Sequence, residues 1–324
     1  MGPSGAAPRA RALQVWTLLL LTAQNTALVL VTKMSYRDGG AAPYVASTVI
    51  ACSEMAKLLA SGGLVLALDG EREFWSAVRE IPSSAFRLAL PSVLYVVQNN
   101  LLFEGIRLLS PTVYMVCSQS KILTSALFAY VLLKTTVTRT QAASLCALVV
   151  GMILVQAQDD GSASGGRGDS GTSLRGLVVV FTASMTSGFA GAYLEKMYKQ
   201  VGVVGVPARS IWVRNMQLAC FSVPIAMFTA MNKDGARLAT QGFFGGYDGI
   251  VILIIALQAI GGLIVAAVMR YASNVLKCFA VSLSICNCAV ATTYVLGDGT
   301  DGMSAHQMLG IVLVIGATFA YANK

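Results

Sequence analysis

Ten apolar blocks, each close to the length that crosses a bilayer, dominate this 324-residue sequence. They lie near 13–33, 44–68, 86–107, 111–133, 138–157, 174–197, 208–231, 248–269, 275–297 and 303–322. A helix needs about 20 residues to span the hydrocarbon. Lipid offers no partner to a free backbone amide or carbonyl, so segments of this kind fold as helices. The alternating pattern of barrel strands is absent. The sequence therefore predicts an all-α polytopic membrane protein with about ten transmembrane helices. Composition closes the soluble alternative: AVILMFWYC make up 56% of the chain and DEKR 12%, with a mean hydropathy of +0.68. A soluble domain is about a quarter charged. A secreted disulfide scaffold, a disordered chain and a soluble enzyme are all excluded.

Residues 1–12, with Arg9 and Arg11, have the charge of a signal-peptide start. The apolar run behind them is longer than the roughly 7–15 residues of a signal core, so it is read as a retained first span. Gln158 to Ser173 reads QDDGSASGGRGDSGTS, a composition that makes a flexible loop. It divides the chain into a first five-block half, 1–157, and a second, 174–324. Tyr130-Val131-Leu132, Gln141 and Gly151 are echoed by Tyr294-Val295-Leu296, Gln307 and Gly316 at offsets of 164, 166 and 165 residues. An odd number of spans per half would make these inverted repeats, a transporter architecture. With the N-terminus in the cytosol, twelve of the Lys and Arg outside the blocks fall on the cytosolic side and seven opposite, which places both termini in the cytosol.

The net charge of +8 does not point to nucleic acid, because the basic residues lie in short gaps between blocks, without a dense run or interleaved aromatics. All seven cysteines sit inside blocks, no C-x-x-C occurs, and His306 is the one histidine. Free thiols are expected, with no metal site and no cofactor. A Ser-His-Asp arrangement and a P-loop lysine are likewise absent, so the chain is not expected to be an enzyme.

What remains is a small set of polar residues within apolar blocks. A charge at the centre of a spanning helix costs about 2.5–3.5 kcal/mol on insertion scales. Lys121 stands ten residues into the 111–133 block, too deep for easy snorkelling, with Tyr114, Ser118 and Gln119 nearby. It either pairs with a carboxylate from another span or marks a transport pathway. Glu54 and Lys57, three apart, either neutralise each other or face one cavity together. Tyr95, Gln98, Asn99 and Asn100 cluster in the third block. Amides there join helices or read a nucleobase edge. Asn215 lies deeper in the seventh block than Arg214, and Lys277 opens the ninth, where an interfacial anchor is the alternative. Small residues at 184–191 and Gly261-Gly262 favour close helix packing.

Five motifs carry a resemblance over nearly the whole chain: Pro91 to Asn100; Lys121-Ile122-Leu123-Thr124; Ser187 to Lys196; Trp212 to Gln217; and Gly261-Gly262 through Asn274-Val275-Leu276-Lys277. In these the chain resembles the nucleotide-sugar transporters, in the branch that carries UDP-galactose, UDP-N-acetylglucosamine and CMP-sialic acid. The resemblance implies the ten-helix drug/metabolite transporter fold and a Golgi-membrane antiporter. Such a carrier exchanges a cytosolic nucleotide sugar for the lumenal nucleoside monophosphate by alternating access. Carried over by position, Lys121 and Lys277 would bind phosphate, Asn99, Tyr114 and Asn215 would contact base and ribose, and Glu54 with Lys57 would lie near the sugar. Tyr95, Gln98 and Gln119 complete the candidate site.

CMP-sialic acid members tend to carry a tyrosine where Ala219 stands and a serine where Ala266 stands. Their absence, with the wording Val155-Gln156-Ala157-Gln158, makes UDP-galactose-type members the nearer match, so the expected cargo is UDP-galactose or UDP-N-acetylglucosamine against UMP. The alternatives are a CMP-sialic acid transporter and a generic drug or metabolite exporter, whose apolar or cationic cargo two cavity lysines would oppose. A membrane scaffold or lipid transferase is the further rival, and a transferase would need an acidic motif that is not present. The lipid bilayer is the one certain partner, and self-association into a homo-oligomer stays open.

Overall fold

The structure, a computed structural model, describes residues 6–35, 44–108, 117–156, 170–199, 210–294 and 305–322. Among the described residues the chain is helical without a strand. Its α-helices are α1 (Ala6–Ser35), α2 (Ala46–Leu64), α3 (Glu71–Leu108), α4 (Ser120–Leu133), α5 (Arg139–Gln156), α6 (Ser170–Lys199), α7 (Ile211–Gln241), α8 (Gly249–Tyr271), α9 (Asn274–Tyr294) and α10 (Ala305–Ala322). Each apolar block of the sequence falls on one of them. Among the described residues five stretches are long and apolar enough to cross a membrane: Ala12–Thr32, Ala46–Asp69, Leu174–Lys199, Ile211–Gln241 and Gly249–Tyr271. Four shorter apolar helices accompany them, at Ser120–Leu133, Arg139–Leu154, Asn274–Cys288 and Ala305–Tyr321. The chain is a multi-pass membrane protein.

Helix ends follow ordinary capping chemistry. Ser210 accepts from Val213 N at 3.3 Å to start α7, and Asp248 Oδ1 accepts from Val251 N at 2.9 Å to start α8, so each satisfies an orphan amide of a first turn. Lys134, in the left-handed region at φ 56°, ends α4. A π-helical turn, Val65–Asp69, closes α2, and Gly70 at φ 89° turns the chain into α3. Two boundaries differ from the sequence reading. Helix α3 begins fifteen residues before its apolar block: the stretch from Glu71, rich in Glu, Arg and Ala, continues as helix through Pro82 and Pro91. Helix α7 runs past its block to Gln241, with a kink at Asp234. Lys121 is the second residue of α4, which follows a turn at Gln119 and the helical pair 117–118.

The chain forms two compact units, 1–93 with 197–273, and 94–196 with 274–324. They do not coincide with the sequence halves, since each unit draws on both. In the first unit α2 packs along α7 and α8, and α1 packs along α8. Val65, Ala77, Val213 and Met216 close one apolar cluster there, and Tyr44, Val49, Val251 and Ile254 close another. In the second unit α5 packs along α10, and α4 along α9, around Ile122, Leu148, Met152, Phe279 and Val314. Outward faces carry Trp16, Leu59, Phe228, Ile252 and Phe319, all more than half exposed. That inversion of the soluble pattern suits a lipid solvent, in which apolar surface has no reason to hide.

Close approach in the second unit depends on glycine. A Cβ on Gly188 of α6 would fall 2.7 Å from the Thr124 backbone of α4, and one on Gly151 of α5 would fall 2.9 Å from the Gly310 carbonyl of α10. Gly188→Ala is therefore expected to destabilise by about 1–3 kcal/mol, the usual range for overpacking. The measurement is the thermal unfolding midpoint in detergent. Gly63→Ala, which would meet nothing within 4 Å, should leave the midpoint unchanged or raise it.

Candidate functional site

The second unit holds a cavity of about 280 Å³, near the lower end of the roughly 300–1,000 Å³ typical of small-molecule sites. Four helical segments build it. The later part of α3 supplies Tyr95 and Gln98, α4 supplies Lys121 and Ser125, α6 supplies Ala183, Ser184 and Ser187, and α9 supplies Lys277, Cys278 and Val281. Ser118, just before α4, completes the lining. In each helix these positions recur at three or four residues, so each presents one face.

Helices α4 and α6 are fastened behind that wall. Ser120 donates to Ser184 Oγ at 2.8 Å, and Thr124 Oγ1 donates to the Ser184 carbonyl at 2.7 Å. Cys278 and Ser125 lie 3.6 Å apart between α9 and α4. Lys121 and Lys277 thus line one cavity. Among the described residues no acidic side chain forms an ion pair with either. Gln98 brings a buried Oε1 that accepts no hydrogen bond. Two cations and an unused acceptor facing a cavity suit an anion that also carries a hydrogen-bond donor.

Among the remaining described candidates, none lines this cavity. Glu54 and Lys57 pair with each other, and Glu54 also accepts from Ser222 of α7. The Lys57 stem lies over Gly262, whose Cβ would come within 2.5 Å of it. Asn215 is buried, with its Nδ2 donating to Ser61 Oγ at 2.8 Å and its Oδ1 accepting from the Tyr198 hydroxyl at 3.3 Å. Both ends of that amide are used in joining helices of the first unit. Gln119 is buried and caps α4 without lining the cavity. Tyr114 lies outside the described residues, as does the Asn99 side chain on α3. The cavity also uses Ser125, Ser184, Ser187 and Cys278, which the sequence reading left unassigned. Small polar residues among alanines give no signal of their own, although 184 and 187 share a face of α6. The first unit contains a further unforeseen tie: Gln217, fully buried, donates to the Ala77 carbonyl at 3.0 Å.

A family model described as "Nucleotide-sugar transporter" matches residues 9–322. The chain belongs to the nucleotide-sugar transporter family. It is 36% identical over 327 residues to the UDP-N-acetylglucosamine/UDP-N-acetylgalactosamine transporter nstp-4 of Caenorhabditis elegans, covering 96% of this chain and 94% of that one. It is 35% identical to the UDP-N-acetylglucosamine transporter of Homo sapiens, covering 94% of both chains. It is 36% identical to the UDP-galactose translocator of Homo sapiens, over 99% of this chain and 80% of that one. A solved crystal structure with 11% identity superposes at a TM-score of 0.62, covering 93% of this chain and 97% of the other, and shares the fold. The family and these relatives are transporters rather than enzymes.

The transporter's Asn215 makes two hydrogen bonds within the first unit. Replacing it by alanine removes its bonds to Ser61 and Tyr198, and losing a buried hydrogen-bonded amide costs about 1–3 kcal/mol. Asn215→Ala should lower the unfolding midpoint in detergent by several degrees (roughly 2–4 °C per kcal/mol at this size).

Proposed function

We propose that this transporter is an antiporter. It carries a cytosolic UDP-sugar, UDP-galactose or UDP-N-acetylglucosamine, into the Golgi lumen and returns UMP by alternating access. The observation that carries the reading is the placement of Lys121 and Lys277 on one cavity, each without an acidic partner among the described residues. Protein-bound ammonium groups in apolar surroundings need a counter-charge. Here the cargo supplies it. A UDP-sugar brings about two negative charges and UMP about 1.5 to 2, by analogy with phosphate esters. Either cargo neutralises the pair, whereas the empty carrier holds both charges uncompensated. Exchange rather than one-way release follows, because only the loaded form changes state without that penalty.

In this reading Lys121 and Lys277 hold phosphate, while Tyr95 and Gln98, with Asn99 and Tyr114, face base and ribose. The curated relatives named above support uridine, since each is a carrier of UDP-sugars. Both sugars remain in the proposal, because identity is level between the two kinds of relative. For Glu54, Lys57 and Asn215 a contact with cargo rests on the resemblance alone. Pairing across the halves supports the inverted-repeat arrangement. The second, fourth and fifth helices of one half, α2, α4 and α5, pack on their counterparts α7, α9 and α10. The proposed orientation keeps both termini in the cytosol.

The test is uptake by reconstituted vesicles. Vesicles preloaded with UMP should take up UDP-sugar at least about tenfold faster than empty ones, the two-charge penalty being several kcal/mol. Equal rates would overturn the exchange mechanism. Lys121→Ala should insert normally yet lose exchange. In a thermal-shift panel UMP should stabilise the native chain more than CMP, GMP or an organic cation, and stabilisation by the cation alone would favour an exporter.

A further inference from the structure

Outside the cavity, a carboxylate on α6 holds the start of α9, the helix that carries Lys277. Glu195, near the end of α6, is 2% exposed, and its Oε2 accepts a 2.7 Å hydrogen bond from the backbone amide of Asn274, the first residue of α9. The first amides of a helix lack partners within it, and the positive end of its dipole favours a carboxylate. Lys277 follows one turn later, and Asn274, Lys277, Cys278 and Val281 form a single stripe along α9. Three of these four line the cavity.

One face of α6 governs both lysine-bearing helices. Ser184, Gly188, Gly191 and Glu195 recur at intervals of four, three and four residues, so they align. The first two meet α4 around Lys121: Ser184 receives bonds from Ser120 and Thr124, and Gly188 lies against the Thr124 backbone. The last two meet the start of α9. A Cβ on Gly191 would fall 2.3 Å from the Asn274 amide, which fills the hollow above that glycine without a hydrogen-bond partner of its own. The same rail thus seats α4 at its upper end and α9 at its lower end.

We infer that Glu195 is a positioning residue: by holding the first amide of α9 against α6, it sets the placement of Lys277 opposite Lys121. The inference rests on the phosphate role proposed for Lys277. Glu195 does not touch cargo and acts through the helix that carries the lysine.

The experiment is a mutant cycle on UMP affinity, measured by calorimetry in detergent with the unfolding midpoint recorded for every variant. Glu195→Ala should weaken UMP binding about tenfold, whereas in a Lys277→Ala background the same change should weaken it less than about twofold, the pattern expected of coupled residues. Glu195→Gln, which keeps an acceptor for the Asn274 amide, should restore most of the affinity. Glu195→Asp shortens the reach by one methylene and supplies the same cycle if the alanine variant does not fold; its expected loss is about threefold. Equal losses in both backgrounds would mark a general structural role and overturn the inference. So would unchanged affinity in Glu195→Ala, or a loss in Glu195→Gln as large as in alanine. If the native chain does not bind UMP, the proposed cargo itself falls and this role for Glu195 falls with it. Native binding with an additive cycle removes the inference alone.

Discussion

Two like charges placed on one small cavity, with no protein carboxylate beside either among the described residues, are the constraint around which the second unit is organised. In water such a pair would cost little. In a low-dielectric setting the same separation is several times more expensive, because the medium no longer screens it. Among the described residues that line the cavity, none is acidic. The surrounding chain answers with hydroxyls from α4 and α6, a thiol from α9 and an amide from α3, groups that solvate without neutralising. A site of this kind stays incomplete until an anion arrives, which is the condition a carrier needs if it is to respond to its cargo.

The first unit solves its polar problem in the opposite way. Glu54 with Lys57 and Ser222, Asn215 with Ser61 and Tyr198, and Gln217 with Ala77 are hydrogen-bonded or ion-paired sets, each joining α2 or α3 to α7. Buried polar groups that find each other fix the register of two helices. One unit thus spends its polarity on internal cohesion, and the other keeps part of it unspent.

Much of this was legible in the sequence, for identifiable reasons. The all-helical membrane architecture could be read because block length and apolarity are strong signals, and Lys121 and Lys277 stood out because a charge within an apolar block is rare. The start of α3 was missed because Glu71 to Ser84 is polar and contains Pro82. Its helix-favouring Glu, Arg and Ala content was the available clue. Asn215 and Gln98 are both intramembrane amides, and sequence alone could not separate them. What distinguishes them is whether a partner comes from a helix distant in the chain, as Ser61 does for Asn215. The interleaved units were hidden for the same reason, since pairing between α1 and α8 leaves no mark at either position.

That interleaving has a consequence for biogenesis. The first unit needs residues up to Ser273 before its last helix is present, and the second needs α10, at the far end of the chain. While the ribosome is still delivering α9 and α10, α4 and α6 can fasten to each other through Ser120, Thr124 and Ser184. Lys121 and the cavity-facing sides of these helices still lack the wall that α9 supplies. Insertion machinery or transient helix pairs would have to shield them until α9 and α10 emerge, and neither half released on its own could complete either unit.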